Sequence, residues 1–378
     1  MRMKKYLLKR WWFVLFGVLA LVLVALFSSN PSLTEFVYSR SIFPTLSTVV
    51  GFLPSLVSFS VAEWVVLLFL VFCLAYIAYW IVQLIRKKDE RGFQVYKAFV
   101  GVLVLASVVY FCFVITGGLN YYRYTFAESA GIELEQSSED ELESLCWSLA
   151  DNMNQTRAEI GEEVDVCALN SGDFERYAHA SVGAISALAQ TYPVLERPLY
   201  STPKPVFASE FLSDANIAGI YFPFTEESNI NTQSMLFTMP ATMAHELAHQ
   251  CGFMREDEAN YIAYAACVHT DQDALVRYSG YSLAYDYSLS ALNRVNPDVA
   301  AEINASLSDD VKTDRVRRAQ YLSEHEGEIA RISTRMNDAY LKANKQTDGV
   351  QSYGRMVDLL LAEQRNHTFD SSESAPES

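Results

Sequence analysis

Three long apolar runs in the first third of the chain leave few options for its fold. Residues 11–27 and 98–119 carry no charged side chain, and residues 61–85 carry only Glu63. Each run is close to the roughly 20 residues a helix needs to cross a hydrocarbon core. Three of them this close together would be hard to cover with protein. Trp11, Trp12, Trp64, Trp80 and the pair Tyr121 and Tyr122 stand near the run ends, where amphipathic rings favour the membrane interface. The basic start (Arg2, Lys4, Lys5, Lys9, Arg10) would also suit a secretory signal. The first run is long, however, and "VALFSSNPS" has no clear small-x-small cleavage site, so a retained anchor is expected.

Charge sets the expected orientation, because short cytoplasmic loops are rich in Lys and Arg. Five such residues precede the first run and four lie in "RKKDER" at 86–91, whereas the stretch between, 28–60, has only Arg40. The N-terminus and residues 86–91 are therefore expected inside, and the chain beyond residue 119 outside. Segment 41–60, "SIFPTLSTVVGFLPSLVSFS", is also apolar. A fourth crossing there would put 86–91 outside, against the charge bias. With Pro44, Gly51 and Pro54 it is expected to be interfacial or re-entrant.

Residues 120–378 hold 18 basic and 41 acidic side chains, a net charge of −23 within a chain total of −16. An acidic surface of that size argues against nucleic acid and against anionic headgroups. It suits a soluble domain, 120–365, held beside the bilayer, with 366–378 as a polar, disordered tail. Of six cysteines, Cys73 and Cys112 fall in apolar runs, while Cys146, Cys167, Cys251 and Cys267 allow three pairings in an oxidising compartment. Within the outer domain, helical spacing marks 139–157 and 174–192, a short strand is expected at 217–222, and two helices follow, from Pro240 to Gly252 and from Arg255 through Val268. Residues 309–363 are mostly helical, interrupted at 342–354. The fold class is mainly α (α+β), with a small sheet before the Pro240 helix.

That helix carries "HELAH". On a helix His245 and His249, four apart, share a face, and Glu246 stands beside them. This is H-E-x-x-H: two zinc ligands and a general base. By the chain's own composition the pattern arises by chance in roughly one sequence in a hundred of this length. Met243, Ala244, Leu247 and Ala248 make the helix apolar on most sides, which argues against a solvated surface helix. A catalytic zinc takes three protein ligands, and the acid cluster after Gly252 offers Glu256 or Glu258. The two point about 200° apart on a helix, so only one can face the metal. Glu256 shares a face with Asn260, able to hold a ligand ring from behind, and is the favoured third ligand, with Glu258 as the alternative.

"HELAH" followed by "EDEAN" resembles the gluzincin-type metallopeptidases. That resemblance implies a Glu ligand on the second helix and a supporting polar residue four positions on, which fall at Glu256 and Asn260. The support residue is Asn where Asp is commoner, and the link from His249 is short. More widely, three spans followed by "GIYFPFTEESNIN", "HELAHQCGFMREDEAN" and "NDAYLKANKQTDGVQSYG" resemble an uncharacterised bacterial family of polytopic membrane proteins with a zincin-like outer domain. This likeness covers most of the chain and implies the architecture, without a substrate.

The expected activity is therefore zinc-dependent hydrolysis of a peptide or amide bond outside a membrane to which the chain is anchored by three spans. Glu246 would be the base, and His245, His249 and Glu256 the zinc ligands. The substrate would be a peptide or protein, or cell-wall peptide for an amide hydrolase of that layer. A non-catalytic zinc-binding sensor or assembly protein is the rival. Strand 218–222 is placed to pair with an extended substrate. His269, Tyr261, Tyr264, Arg255 and Tyr353 are candidate donors to a developing oxyanion, and Asp173 with His179 form a further candidate pair.

Overall fold

The computed structural model describes residues 2–343 and 354–373. They form two compact units, one of residues 1–123 with 222–226, the other of residues 124–221 and 227 onward.

In the first unit, helices α1 (Arg2–Ser28), α4 (Val61–Arg86) and α5 (Arg91–Thr116) are joined by α2 (Pro31–Leu33), a π-helical stretch Thr34–Ile42 and α3 (Phe43–Ser55). Three segments, Lys9–Ser28, Val61–Arg86 and Lys88–Thr116, are long and apolar enough to cross a membrane. Their side chains face outward: Leu21, Leu68, Leu74 and Phe99 are each at least 60% exposed. Such an inside-out surface is stable only where the solvent is itself apolar. The third segment starts before residue 98, because Gln94 and Lys97 continue the same helix. It stops at Thr116, before residue 119, because Gly117 (φ −168°, ψ −36°) breaks the helical path. Trp80 is buried against Tyr76 and Tyr79 and is not an outward-facing interfacial ring. α3 continues the helical path of residues 31–42, and this stretch is not among the three segments.

Gly17 lets α1 approach α5, since a Cβ there would lie 2.8 Å from Ser107 Oγ. Glu35, in the π-helical stretch, is fully buried and accepts from Arg123 at 2.9 and 3.0 Å and from Arg40 at 2.7 Å. Burial raises its carboxyl, but the two guanidinium groups outweigh that and hold it below the ordinary range.

The second unit is helical around a small sheet. Its helices are α6 (Phe126–Ala130), α7 (Glu139–Ile160), α8 (Asp173–Thr191), α9 (Ser209–Asp214), α10 (Met239–Gln250) and α11 (Glu256–Val268), then α12 (Ala274–Val295), α13 (Pro297–Ala305), α14 (Asp309–Glu324), α15 (Glu328–Ala343) and α16 (Arg355–Glu373). The fold is thus mainly α with a small sheet, whose strands β1 (Lys204–Pro205), β2 (Gly219–Phe222) and β3 (Glu227–Ile230) lie in the order β1-β3-β2, β1 parallel to β3. α7 starts at a capping box in which Ser138 and Glu141 satisfy each other's backbone N–H. α16 runs past residue 366 to Glu373, so the stretch expected as a tail begins as helix. Of the predicted interruption at 342–354, residues 342 and 343 are still helix in α15, and 344–353, like 374–378, lie outside the described residues.

α11 is the centre of this unit. Every residue from Asp257 to Cys267 is buried, and its alanines at 259, 263, 265 and 266 admit α10, α12, α8 and α16 closely. Arg157 of α7 and Asp314 of α14 form a buried pair at 2.7 Å, with the Tyr278 hydroxyl on the same carboxylate at 3.1 Å. All six cysteines are free, Cys146, Cys167, Cys251 and Cys267 being buried, so the unit is held by packing and not by disulfides.

Candidate metal centre

α10 presents its apolar face, Met243, Ala244, Leu247 and Ala248, to the core with no exposure at all. Pro240 stands in its first turn, where a missing N–H is harmless. The chain then reverses through Gly252, at φ 83°. The Gly252 N–H reaches His249 O at 2.9 Å and the Phe253 N–H reaches Ala248 O at 3.2 Å. Phe253 is fully buried, its ring 5.3 Å from that of Phe126, and this anchors the turn. Gln250 closes the far side: its amide donates to Ser201 O and Ser228 Oγ, both at 2.9 Å. The reversal lays α11 along α10.

His245, His249 and Glu256 converge there, one ligand atom from each lying within 4.8 Å of the others. His245 Nε2 is 3.1 Å from Glu256 Oε2, and His249 Nε2 is 3.9 Å from Glu256 Oε1. Both imidazoles are held from behind. His245 Nδ1 meets Asn260 Oδ1 at 2.8 Å, and His249 Nδ1 meets the Phe253 carbonyl at 2.7 Å. Both partners are acceptors, so each Nδ1 carries the proton and each Nε2 turns a lone pair toward the shared point. Ligand bonds of 2.0–2.2 Å in a tetrahedron place donor atoms about 3.4 Å apart. The two histidine-to-carboxylate separations straddle that value, and two imidazoles with one carboxylate are a zinc donor set. The residues fit a zinc ion.

Electrostatics separates the two histidines. Burial disfavours a charged His245, but the hydrogen bond and charge of Glu256, helped by Glu246 and Asn260, push it up to about 9. Burial and then the charge of His245 push His249 down to about 4. Burial raises Glu256, yet the two histidines hold it below the ordinary carboxylate range. Burial, reinforced by the Glu256 charge and opposed by His245 and the Tyr221 N–H, pushes Glu246 up to about 7.

Glu258 does not share this point. Its carboxylate accepts from Arg255 at 2.8 Å and from the Phe126 N–H at 3.1 Å, on the other side of α11. The candidate oxyanion donors are engaged elsewhere: Arg255 with Glu258, His269 with Glu363 at 2.5 Å, and Tyr261 with Glu363 at 2.9 Å, while Tyr264 packs edge-on to the His269 ring. Tyr353 lies outside the described residues. Asp173 caps its own turn by accepting from the Asn170 N–H, and His179 is exposed on α8.

Three contributors carry no recognisable signal in the sequence. The Phe253 carbonyl and the Tyr221 N–H are backbone groups. Tyr287, on α12, comes from outside the motif: burial and then the Glu256 charge push its hydroxyl up to about 12. With 22 tyrosines in the chain, nothing in residue type singles it out.

Residues 38–361 match the family described as "Protein of unknown function (DUF3810)". No curated protein and no solved structure matches the chain.

Proposed function

The chain belongs to this family of unknown function, so its chemistry must come from its own residues, and we propose that it is a membrane-anchored zinc metallopeptidase whose second unit lies outside the membrane. The observation that carries this reading is the convergence of His245, His249 and Glu256 on one point, with Glu246 next to it on α10. Glu246 is the residue a purely structural zinc site would not need.

His245, His249 and Glu256 would hold the ion, with Asn260 and the Phe253 carbonyl fixing the rings. Zinc bound there supplies Lewis acidity that activates water at neutral pH. Glu246, buried and with a carboxyl near 7, takes the proton of the attacking water and passes it to the leaving amine. Tyr287 remains protonated at neutral pH and supplies a hydrogen bond to the developing negative charge. The edge strand β2 offers backbone groups to an extended peptide, a mode that needs no particular side chains in the substrate. The orientation follows from the Lys and Arg bias of the short segments around the spans.

The test uses the full chain in detergent micelles. About one zinc per chain is expected, lost in His245→Ala and Glu256→Ala and retained in Glu246→Gln. A broad peptide mixture analysed by mass spectrometry should be cleaved by the parent and not by Glu246→Gln. Absence of zinc, or equal cleavage by both, overturns the reading.

A further inference from the structure

β2 is the edge strand of its sheet, with β3 on its inner side. The Asn231 N–H donates to Ala218 O at 2.9 Å, which turns Ala218 toward β3. Backbone groups alternate direction along a strand, so Gly219 and Tyr221 turn theirs to the open edge. The face of the strand at Gly219 lies on α10. A Cβ on Gly219 would sit 2.6 Å from Glu246 Oε1, 2.9 Å from Glu246 Cγ and 2.9 Å from Thr242 Cγ2, closer than any side chain allows. Two residues on, the Tyr221 N–H donates to the Glu246 carboxylate. The Tyr221 ring lies 6.0 Å, centroid to centroid, from that of His249.

We propose that β2 positions the general base. Gly219 leaves the gap into which Glu246 fits, and the Tyr221 N–H fixes the carboxylate, so both are positioning residues outside the H-E-x-x-H motif. A free glutamate has three side-chain torsions and would present its carboxylate in many places. Clamped to the strand, it has one. An extended peptide pairing with the remaining outward groups, those of Gly219 and the Tyr221 carbonyl, would then meet the base at a fixed register. The catalytic meaning rests on the hydrolase reading above; the contact does not.

Hydrogen exchange of single amides in the full chain tests the contact without any substrate. Glu246→Ala should speed exchange at the Tyr221 amide roughly ten- to a hundredfold, as expected for losing a bond to a charged acceptor. The Asn231 amide, bonded to Ala218, should not change. Unaltered protection at Tyr221 overturns the proposal. Gly219→Ala supplies an independent test. It should lower thermal stability, and Glu246→Asp, one methylene shorter, should relieve much of that loss; strictly additive losses overturn the proposal. On the peptide mixture, Gly219→Ala should lower kcat at unchanged KM and zinc content, whereas unchanged kcat overturns it. Full cleavage by Glu246→Gln would instead sink the hydrolase reading and leave the exchange result standing.

Discussion

Two histidines one helical turn apart differ by about five units in proton affinity, at about 9 and about 4. Burial disfavours the charged form of both; at His245 the hydrogen bond and charge of Glu256, 3.1 Å away, outweigh it, whereas at His249 the charge of His245 adds to the burial. At pH 7 the metal-free centre therefore holds a proton on His245, which zinc must displace, beside a Glu246 carboxyl pushed up to about 7. Below a pKa near 9 this proton competes with the metal, and above it the competition ends. Zinc affinity is therefore expected to rise about tenfold per pH unit from 7 to 9 and then level off. Calorimetry in buffers of different ionisation enthalpy should find close to one proton released per zinc at pH 7, and about none in His245→Ala, which binds far more weakly. Tyr287→Phe removes a hydroxyl and little else. It is expected to lower kcat by about two to three orders of magnitude with zinc content intact, and an unchanged kcat would remove Tyr287 from the reaction. Asn260 was legible in the sequence because four-residue spacing is a property of any helix. Tyr287 was not, because its approach depends on how α12 crosses α11, which no local pattern encodes.

At the scale of elements, the turn between α10 and α11 decides whether the ligands meet. Gly252 sits at φ 83°, a conformation that costs other residues about 1–2 kcal/mol. Gly252→Ala should cost stability of that order in thermal denaturation. It should also lower zinc affinity about tenfold, because the Phe253 carbonyl that orients His249 moves with the turn. A helix-ending glycine is visible in sequence, and the boundaries of α10 and α11 lie within a residue or two of those expected. The direction in which Glu256 and Glu258 point was decidable only as a choice of one. The structure resolves it because Glu258 has partners of its own in Arg255 and the Phe126 N–H. Cysteine spacing carried no information, since pairing depends on packing that brings none of the four together.

At the scale of the whole molecule, the apolar runs were legible because a bilayer demands length and hydrophobicity and little else. Their ends were less so: Lys97 and Gln94 continue α5 where composition alone would stop it. Orientation is testable at Phe207, whose side chain is 99% exposed in the second unit. Phe207→Cys should react with a membrane-impermeant maleimide in intact cells. Lys88→Cys, between α4 and α5, should react only after permeabilisation, and the parent should stay unlabelled because its cysteines are buried or lie in the apolar helices. The reverse pattern would put the candidate centre on the other face.

The three candidate ligands and the groups that hold them, from His245 to Asn260, occupy one unbroken stretch of sixteen residues. Loop closure over that distance takes well under a microsecond and helix growth about the same, whereas assembling the surrounding helices brings together residues such as Arg157 and Asp314 that are far apart in the chain. On the proposed zinc reading, metal capture would need only one helical hairpin to close. A chain still emerging from its ribosome or translocation channel would then load the ion before the rest of the domain has been made, and the ion would serve as a seed around which the later helices gather.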